Sequence, residues 1–463
     1  MAFPVDLRRC QALGLAGTAF LALGGETAGA LPVRELLSPT SGRGALGLVG
    51  VYFGVVLLTA AWALLGKVIR GPEPPTPRAL LLVLAVWAAP LLLAPPLFSR
   101  DVYSYLAQGA MVDAHMDVHL HGPARLGGPL ADEVAPMWRH TATPYGPVFL
   151  ALASGLSALT DGRIPAGLIG MRLIALLGVA LMAVALPRLA RHSGADPAVA
   201  LWLGALNPLV LLHLVAGAHN DAMMLGLLGV GLVLARGRWY LVGVVLVTLA
   251  ALVKAPAALG LVAVVAIRGR TGWFRTAAGT LAVAVGTTAA ATALTGTGYG
   301  WIAAALRTPV SAQNWSPTTV LGRATATLLH DLGSDLAPLA LPAWRAAGLL
   351  LTLAVVLHIW LRLRPGPVYA LGLSLAAVAA LGPAIRPWYA LWGLFLIAAA
   401  AQNVTTQRRV AAASGVLALA VLPSGNPADT EQFVLAVCGG VLAVVVLWQA
   451  ELASRAPALE RTA

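Results

Sequence analysis

Long apolar stretches separated by short polar segments make up most of this chain. About fourteen of them approach the roughly 20 residues that a helix needs to cross a bilayer. Apolar side chains cover every side of each stretch instead of alternating with polar ones, which favours helices over β-strands. The predicted spans are 11–30, 45–66, 79–97, 168–188, 198–216, 222–235, 239–253, 256–267, 276–294, 342–361, 367–383, 388–401, 410–422 and 432–450. The pattern predicts an all-α integral membrane protein with about 14 transmembrane helices.

Composition agrees with this pattern. Of the 463 residues, 59% are hydrophobic and 10% are charged, and the mean hydropathy is +0.83. A soluble domain carries roughly 25% charged residues. The net charge of +12 does not indicate nucleic-acid binding, because the basic residues stand in twos and threes between apolar stretches and form no basic domain. The expected partners therefore include membrane lipids and no nucleic acid.

The basic residues indicate how the chain crosses the membrane. They occupy every alternate connection between predicted spans, from Arg8 and Arg9 at the start to Arg455 and Arg461 at the end. Connections rich in Lys and Arg face the cytoplasm, so both termini of this multi-pass plasma-membrane protein are predicted to be cytoplasmic. A cleavable signal peptide is the alternative for the first span. We favour a retained span, because the later apolar stretches insert the chain in either case.

One apolar segment, residues 146–160, is too short to count as a span. Counting it would place Arg188 and Arg191 on the outer side, so we expect a helix that lies on or dips into the outer face. The predicted parts of the chain are a two-helix appendage with a cytoplasmic linker (1–78), a core (79–294) whose first outer loop (98–167) consists of juxtamembrane helices, a long outer loop (295–341) and the C-terminal helices (342–463).

Polar residues that interrupt the spans gather on the predicted outer face, and Asp101 is the first of them. It follows the third span directly and begins a short amphipathic helix. A carboxylate at the lipid–water boundary is suited to take a proton from an acceptor hydroxyl as a general base. The alternative is that Asp101 only stabilises the start of its helix through the helix dipole.

Two cations and a short polar segment lie on the same face. Lys254 and Arg386 are suited to hold a phosphate, the first as a point charge and the second as a fork. His219 and Asp221, with Asn220 between them, are suited to place the acceptor or the donor sugar. The alternatives are that Lys254 only reaches the lipid headgroups, and that the segment is a polar turn with Asn220 in the left-handed conformation.

Aromatic residues near this face are suited to stacking on sugar rings or to lining the headgroup zone. They are Tyr103, Tyr145, Trp315, Trp388 and Tyr389. For Trp388 and Tyr389 the alternative is a role as anchors in the aromatic belt of the membrane. Trp315 belongs to the long outer loop, and a long ordered loop in a compact protein is usually functional.

A metal site is the remaining alternative on this face. His115, Asp117, His119 and His121 alternate along the chain and would converge on a metal if the segment were extended. A solvated loop is the favoured interpretation. We therefore expect no cofactor and no metal, with a divalent cation as the open alternative.

Five motifs in order resemble one known family. They are Ser99-Arg100-Asp101-Val102-Tyr103-Ser104-Tyr105, Thr143-Pro144-Tyr145-Gly146-Pro147, Ala218-His219-Asn220-Asp221-Ala222, Val253-Lys254-Ala255-Pro256-Ala257 and Pro387-Trp388-Tyr389-Ala390-Leu391-Trp392. The chain resembles the polyprenol-phosphate-mannose-dependent α-1,6-mannosyltransferases of the MptA/MptB type, members of the GT-C glycosyltransferase superfamily. The resemblance covers roughly residues 80–400.

The resemblance implies a fold and a reaction. It implies a GT-C-type helical core with its active site on the outer face, a polyprenyl-phosphate-mannose donor, a lipid-linked mannan acceptor and an inverting displacement. It assigns the general base to Asp101, and the product is an α-1,6-mannan that becomes the core of lipomannan and lipoarabinomannan. Two alternatives stay open, a GT-C transferase of another polyprenyl-phosphate sugar and a lipid-sugar flippase or transporter.

Overall fold

In the computed structural model of this protein, helices are the regular secondary structure throughout the described residues, as the sequence predicted. The structure describes residues 6–32, 41–269, 272–307, 314–363, 365–420, 423–425 and 430–455. Part of the predicted long outer loop and the basic residues Arg364 and Arg461 therefore lie outside the described residues. The described chain forms two compact units, the first comprising 1–100, 206–218 and 411–463 and the second comprising 101–205 and 219–410.

The first unit is built from long apolar helices. Its helices are α1 (Leu7–Ala28), α2 (Gly42–Ile69), α3 (Pro77–Ala88), a π-helix (Val210–Ala216) and, from the C-terminal part of the chain, the end of α19 (Val404–Ala418) and α20 (Thr430–Arg455). The indole of Trp87 on α3 is fully buried and donates a hydrogen bond to the Gln11 carbonyl of α1 (3.1 Å). The rings of Phe98 and His213 meet edge to face.

The second unit contains the polar residues singled out in the sequence. Its helices are α4 (Asp101–Asp113), α5 (Gly128–Asp132), α6 (Pro136–Arg139), α7 (Pro147–Thr160), α8 (Ile164–Ser193), α9 (Pro197–Gly204), α10 (Asp221–Ala235), α11 (Tyr240–Val253), α12 (Leu259–Arg268), α13 (Trp273–Thr295), α14 (Gly300–Arg307), α15 (Pro317–Asp331), α16 (Ala337–His358), α17 (Pro367–Leu381) and α18 (Ala390–Ala398). Short 3₁₀ helices precede α12 (Ala255–Ala258) and α18 (Pro387–Tyr389).

Two glycines bring the helices of the second unit into contact where the polar residues lie. A Cβ on Gly178 of α8 would come within 2.3 Å of the Ala222 carbonyl carbon, so α8 and the start of α10 touch through their backbones. A Cβ on Gly146 would lie 2.4 Å from the Leu252 carbonyl oxygen, near the end of α11. Small residues permit such backbone approach. The start of α7 is thereby set against the chain that leads to Lys254.

Several helices are apolar enough to fit a membrane protein. By length and composition, the described residues contain five helices able to cross a bilayer, or six if 210–216 and 221–235 are counted together. Three of them, α13, α16 and α20, expose most of their apolar surface, which fits helices that face lipid. The predicted count of about 14 is not confirmed, because six further apolar helices have only 10–17 residues. The predicted partition of the chain into four parts stays a prediction.

Candidate active site

Six of the predicted residues line one cavity of about 340 Å³ in the second unit. Ligand pockets in proteins have volumes of roughly 300–1,000 Å³ and are mostly apolar with a few polar groups that fix orientation. The six are Asp101, Tyr145, Lys254, Arg386, Trp388 and Tyr389. One carboxylate, two cations and three aromatic rings from four separate parts of the sequence therefore face a common space.

Asp101 is the acidic group of this cavity. It is the first residue of α4, and its side chain is 22% exposed. Burial raises the pKa of the Asp101 carboxyl, although the positive charges of Arg386 and Lys254 oppose this change. The nearby indole of Trp138 favours the charged carboxylate and also lowers the pKa of Asp101. A raised pKa makes the ionised carboxylate a better proton acceptor than an ordinary aspartate.

His219 lies behind Asp101 and is fully buried. Its Nδ1 is 3.9 Å from Asp101 Oδ2 and 3.2 Å from the Tyr105 hydroxyl. Burial raises the pKa of the Tyr105 phenol well above its usual value, so the phenol keeps its proton and is able to donate it to Nδ1. The imidazole ring stacks on Trp388, with 4.1 Å between centroids. His219 therefore contacts Tyr105 and Trp388, which both line the cavity.

Lys254 is held by a buried carboxylate. Its Nζ donates to both oxygens of Asp221, at 2.9 and 2.8 Å, and the Trp392 indole N–H donates to Asp221 Oδ1. The Asp221 side chain is fully buried, whereas that of Lys254 is 13% exposed. Burial alone would lower the pKa of Lys254, but the Asp221 charge raises it above the usual lysine value. The ammonium is therefore a permanent cation with a fixed position.

Aromatic rings surround the Lys254 ammonium on the cavity side. Its Nζ lies 4.9 Å from the ring centroid of Tyr389, 5.4 Å from that of Trp392 and 5.9 Å from that of Tyr145. Tyr389 and Trp392 stack on each other at 4.3 Å. Cations are attracted to aromatic faces at these distances. The rings replace part of the hydration that the ammonium loses.

The segment that carries Arg386 is fixed by the start of α15. Asn314 Oδ1 accepts a hydrogen bond from the Ile385 N–H (3.0 Å), and Ser316 Oγ donates to the Pro383 carbonyl (2.8 Å). The guanidinium of Arg386 lies over Trp388, 5.9 Å from the ring centroid. Asn314 and Ser316, at the described end of the predicted long loop, therefore hold the segment that brings Arg386 to the cavity.

Five predicted residues do not line the cavity. His219 and Asp221 lie behind its lining, and Tyr103 is fully buried. Trp315 is 81% exposed and is not brought to the site. Asn220 is buried with φ −63°, and the left-handed residue is its neighbour Ala218 (φ 52°), so the polar turn with Asn220 in the left-handed conformation is wrong.

Sequence reasoning also missed cavity residues that regular helical spacing indicates. Ser104 and Gln108 follow Asp101 by three and seven residues on α4, and both line the cavity. Trp392 follows Trp388 by four residues and reaches the same space. Trp138 lies in the four-residue helix α6, which is too short for periodicity to mark it. The helical spacing was available from the sequence, and the position of Trp138 was not.

The alternating histidine segment does not assemble a metal site. Asp117 Oδ1 accepts hydrogen bonds from the backbone N–H groups of His119 and Leu120, which closes a turn instead of an extended strand. His119 Nδ1 lies 3.2 Å from the Thr143 carbonyl oxygen. Across the described ranges, no three His, Cys, Asp or Glu side chains are grouped as metal ligands.

Comparison with known proteins identifies the family. A family model described as "Alpha-(1->6)-mannopyranosyltransferase, N-terminal domain" matches residues 11–270, and one described as "MptB C-terminal domain" matches residues 318–449. The chain belongs to the MptA/MptB family of alpha-(1->6)-mannopyranosyltransferases. The predicted family is thereby confirmed.

Individual relatives cover most of the chain. A probable alpha-(1->6)-mannopyranosyltransferase of Mycolicibacterium smegmatis is 35% identical over 447 residues, covering 85% of this chain and 79% of the relative. Alpha-(1->6)-mannopyranosyltransferase A of Mycobacterium tuberculosis is 34% identical, covering 87% and 82%. Alpha-(1->6)-mannopyranosyltransferase B of Corynebacterium glutamicum is 31% identical, covering 91% and 78%. No solved structure matches the chain. This MptA/MptB-family member is a glycosyltransferase, and its relatives support mannosyl transfer that forms α-1,6 links.

Proposed function

We propose that this protein transfers mannose from polyprenyl-phosphate-mannose to a lipid-linked mannan acceptor on the outer face of the plasma membrane. The observation that carries the proposal is the shared cavity, where Asp101 lies together with Lys254 and Arg386 among aromatic rings. An acid–base group next to two cations fits a reaction that deprotonates a hydroxyl and releases a phosphate.

Asp101 is the general base in this proposal. The 6-hydroxyl of the acceptor mannose gives its proton to the Asp101 carboxylate, and its oxygen forms a bond to C1 of the donor mannose. The bond between C1 and the phosphate oxygen breaks, and its electron pair leaves with polyprenyl phosphate. A single displacement inverts the anomeric carbon, so an α-linked product requires a β-linked donor. A positioned base contributes about 10²–10⁴-fold to such a rate.

Lys254 and Arg386 bind the donor phosphate and stabilise the charge that develops on it. Arg386 is the stronger candidate for a direct contact, because Asp221 already neutralises most of the Lys254 charge. Trp388, Tyr389 and Tyr145 line the site around the sugar. His219 and Asp221 position these groups from behind the cavity lining.

Membrane placement follows from the same proposal. A polyprenyl donor is dissolved in the bilayer, and the apolar helices of this chain provide a surface that fits lipid. The alternate basic connections support cytoplasmic termini, which puts Asp101 at the outer end of the third predicted span. We propose a GT-C-type core with α4 to α7 as juxtamembrane helices.

A donor panel tests the proposal. Purified protein is given an α-1,6-mannoside acceptor with radiolabelled polyprenyl phosphates of mannose, glucose or arabinofuranose, or with a nucleotide-activated mannose. Transfer from polyprenyl-phosphate-mannose alone, sensitive to α-1,6-mannosidase, is the expected result. Preferential transfer from another lipid-linked sugar would overturn the donor assignment, and transfer from the nucleotide sugar would overturn the lipid-phosphate assignment.

A further inference from the structure

One face of α4 lines the cavity along its length. Asp101, Ser104, Tyr105 and Gln108 are spaced by three, four and seven residues, and all four face the cavity. Residues at this spacing lie above one another on one side of a helix. Gln108 is about 10 Å further along the helix axis than Asp101, because each residue advances about 1.5 Å. The uncharged polar side chains of Ser104, Tyr105 and Gln108 therefore extend from Asp101 over a distance that can accommodate a sugar ring.

Ser104 carries a buried hydroxyl that the described residues leave without a hydrogen bond. The residue is 4% exposed, and its Oγ has no hydrogen-bond partner among those residues. Buried hydroxyls in proteins are almost always hydrogen-bonded, and a serine within a helix usually donates to the carbonyl one turn earlier. Ser104 lines the cavity although its Oγ is itself covered, so rotation about the Cα–Cβ bond is what would turn this unpaired hydroxyl toward a ligand.

Gln108 is oriented by a directed chain of hydrogen bonds. The Tyr145 backbone N–H donates to Thr143 Oγ1 (3.3 Å), so the Thr143 hydroxyl proton is available for another acceptor. Thr143 Oγ1 then donates to Gln108 Oε1 (3.0 Å). Because an amide oxygen only accepts, the Thr143 hydroxyl must be the donor in this bond. The amide NH₂ of Gln108 is therefore the part of this side chain that can donate to a ligand in the cavity.

We infer that Ser104 and Gln108 form a hydroxyl-binding subsite for a pyranose ring of the substrate. The inference rests on the proposed function and adds residues that discriminate between sugars. Uncharged hydrogen-bonding groups suit the hydroxyls of a sugar ring. A phosphate is bound better by cations, and the cavity provides Lys254 and Arg386 for that. Trp138 also lines the cavity and acts on the Asp101 carboxylate. Aromatic faces and a few fixed polar groups together set the orientation of a ligand.

The ring that occupies this subsite is either the acceptor mannose or the donor mannose, which share the same hydroxyl chemistry. Kinetics separate the two. Ser104→Ala and Gln108→Met are each expected to raise KM about fivefold to tenfold for the substrate whose mannose lies in the subsite. This is the effect of losing one neutral hydrogen bond. The KM of the other substrate is expected to change less than twofold.

A matched control separates recognition from packing. Ser157 on α7 is as buried as Ser104 (5% against 4% exposed) but does not line the cavity. Ser157→Ala is expected to leave both KM values unchanged. Ser104→Ala removes a hydroxyl that makes no hydrogen bond to the protein, so its Tm is expected to equal or exceed that of the wild type.

Deoxy acceptors sharpen the test. A series of α-mannosides, each lacking one hydroxyl, is compared in the wild type and in Ser104→Ala. If the subsite holds the acceptor ring, removing one particular hydroxyl of the mannoside is expected to raise the acceptor KM of the wild type. The same removal is expected to cause no further rise in Ser104→Ala, because the hydrogen bond to that hydroxyl is already absent. If the donor ring is bound, the donor KM alone rises. Unchanged KM values for both substrates in both variants would overturn the inference while leaving the proposed function in place.

A binding measurement tests the subsite even if transfer fails. Three tryptophans line the cavity, so quenching of tryptophan fluorescence by an α-1,6-mannobioside probe reports occupancy in the purified protein. Weaker binding to Ser104→Ala without any transfer would support the subsite and overturn the proposed reaction. Equal binding of the mannobioside to both proteins would exclude the acceptor ring from the subsite. Equal binding of a polyprenyl-phosphate-mannose probe to both proteins as well would overturn the subsite.

Discussion

Removing the Lys254 ammonium should destabilise the protein more than removing both members of its ion pair. Lys254→Met leaves the Asp221 carboxylate fully buried, with the Trp392 N–H as its one remaining donor among the residues that the structure describes. Breaking a buried pair by removing one partner costs about 3–5 kcal/mol. For a unit of this size we expect Tm to fall by about 5 °C or more. Asp221→Asn together with Lys254→Met removes both charges of this pair, so most of the lost stability should return.

Transfer activity separates the structural role of Lys254 from a role in phosphate binding. A lost hydrogen bond to a charged group costs roughly 1.5–3 kcal/mol, which corresponds to a rise in donor KM of about 10- to 100-fold. The double variant should keep this defect although its stability returns. Thermal unfolding in detergent and donor kinetics on the four proteins of the cycle measure both effects. Additive Tm changes would refute the buried-pair reasoning, and normal donor kinetics in the double variant would show that Lys254 is only a counter-ion.

Four further predictions concern neighbouring groups. Asp101 must be ionised to accept a proton, so kcat/KM should fall as pH drops through its raised pKa, with a midpoint above the ordinary aspartate value of about 3.9. Arg386→Gln removes a charge that lowers this pKa, so the midpoint should move to higher pH, and an unchanged midpoint would contradict the electrostatic account. Trp392→Phe keeps the ring that stacks on Tyr389 but loses the N–H to Asp221, and chemical or thermal unfolding should show a loss of about 1–3 kcal/mol. Gly146→Ala should lower Tm because its Cβ would meet the Leu252 carbonyl, whereas Gly155→Ala in open space on α7 should not; equal effects would refute the close approach.

Helix type and several helix boundaries were predictable because apolar length is a local property of the sequence. The short segment predicted at 146–160 is α7 (Pro147–Thr160), and the stretch predicted at 239–253 is α11 (Tyr240–Val253). The apolar stretch 198–216 predicts one span, but α9 ends at Gly204. Pro208 explains the break, because proline lacks an N–H and disfavours helical geometry in the residue before it. Apolar composition alone does not reveal such a break.

Six of the residues that line the cavity were predictable from the sequence, but their partners were not. Polar residues at membrane depth are few enough to mark the site from the sequence. Asp221 was assigned to sugar binding and Lys254 to phosphate binding, although they pair across 33 positions of sequence. Nothing local in either motif indicates the other, because the pairing depends on how α10 and α11 pack. The helical spacing of Ser104 and Gln108 from Asp101 was also visible in the sequence.

The base assignment of Asp101 is the central claim and has the most direct test. Transfer from labelled polyprenyl-phosphate-mannose to an α-1,6-mannoside is compared between wild type, Asp101→Asn and Asp113→Asn at equal expression in the same membranes. Asp113 lies on the same helix but is exposed, so it serves as the control. Burial of the Asp101 charge is unfavourable for folding above its raised pKa, so Asp101→Asn should have an equal or higher Tm.

The account predicts that Asp101→Asn, folded and equally abundant, loses two orders of magnitude or more in transfer rate while Asp113→Asn transfers normally. Equal transfer by wild type and Asp101→Asn would contradict it, and would leave Asp101 as a residue that only stabilises the start of α4.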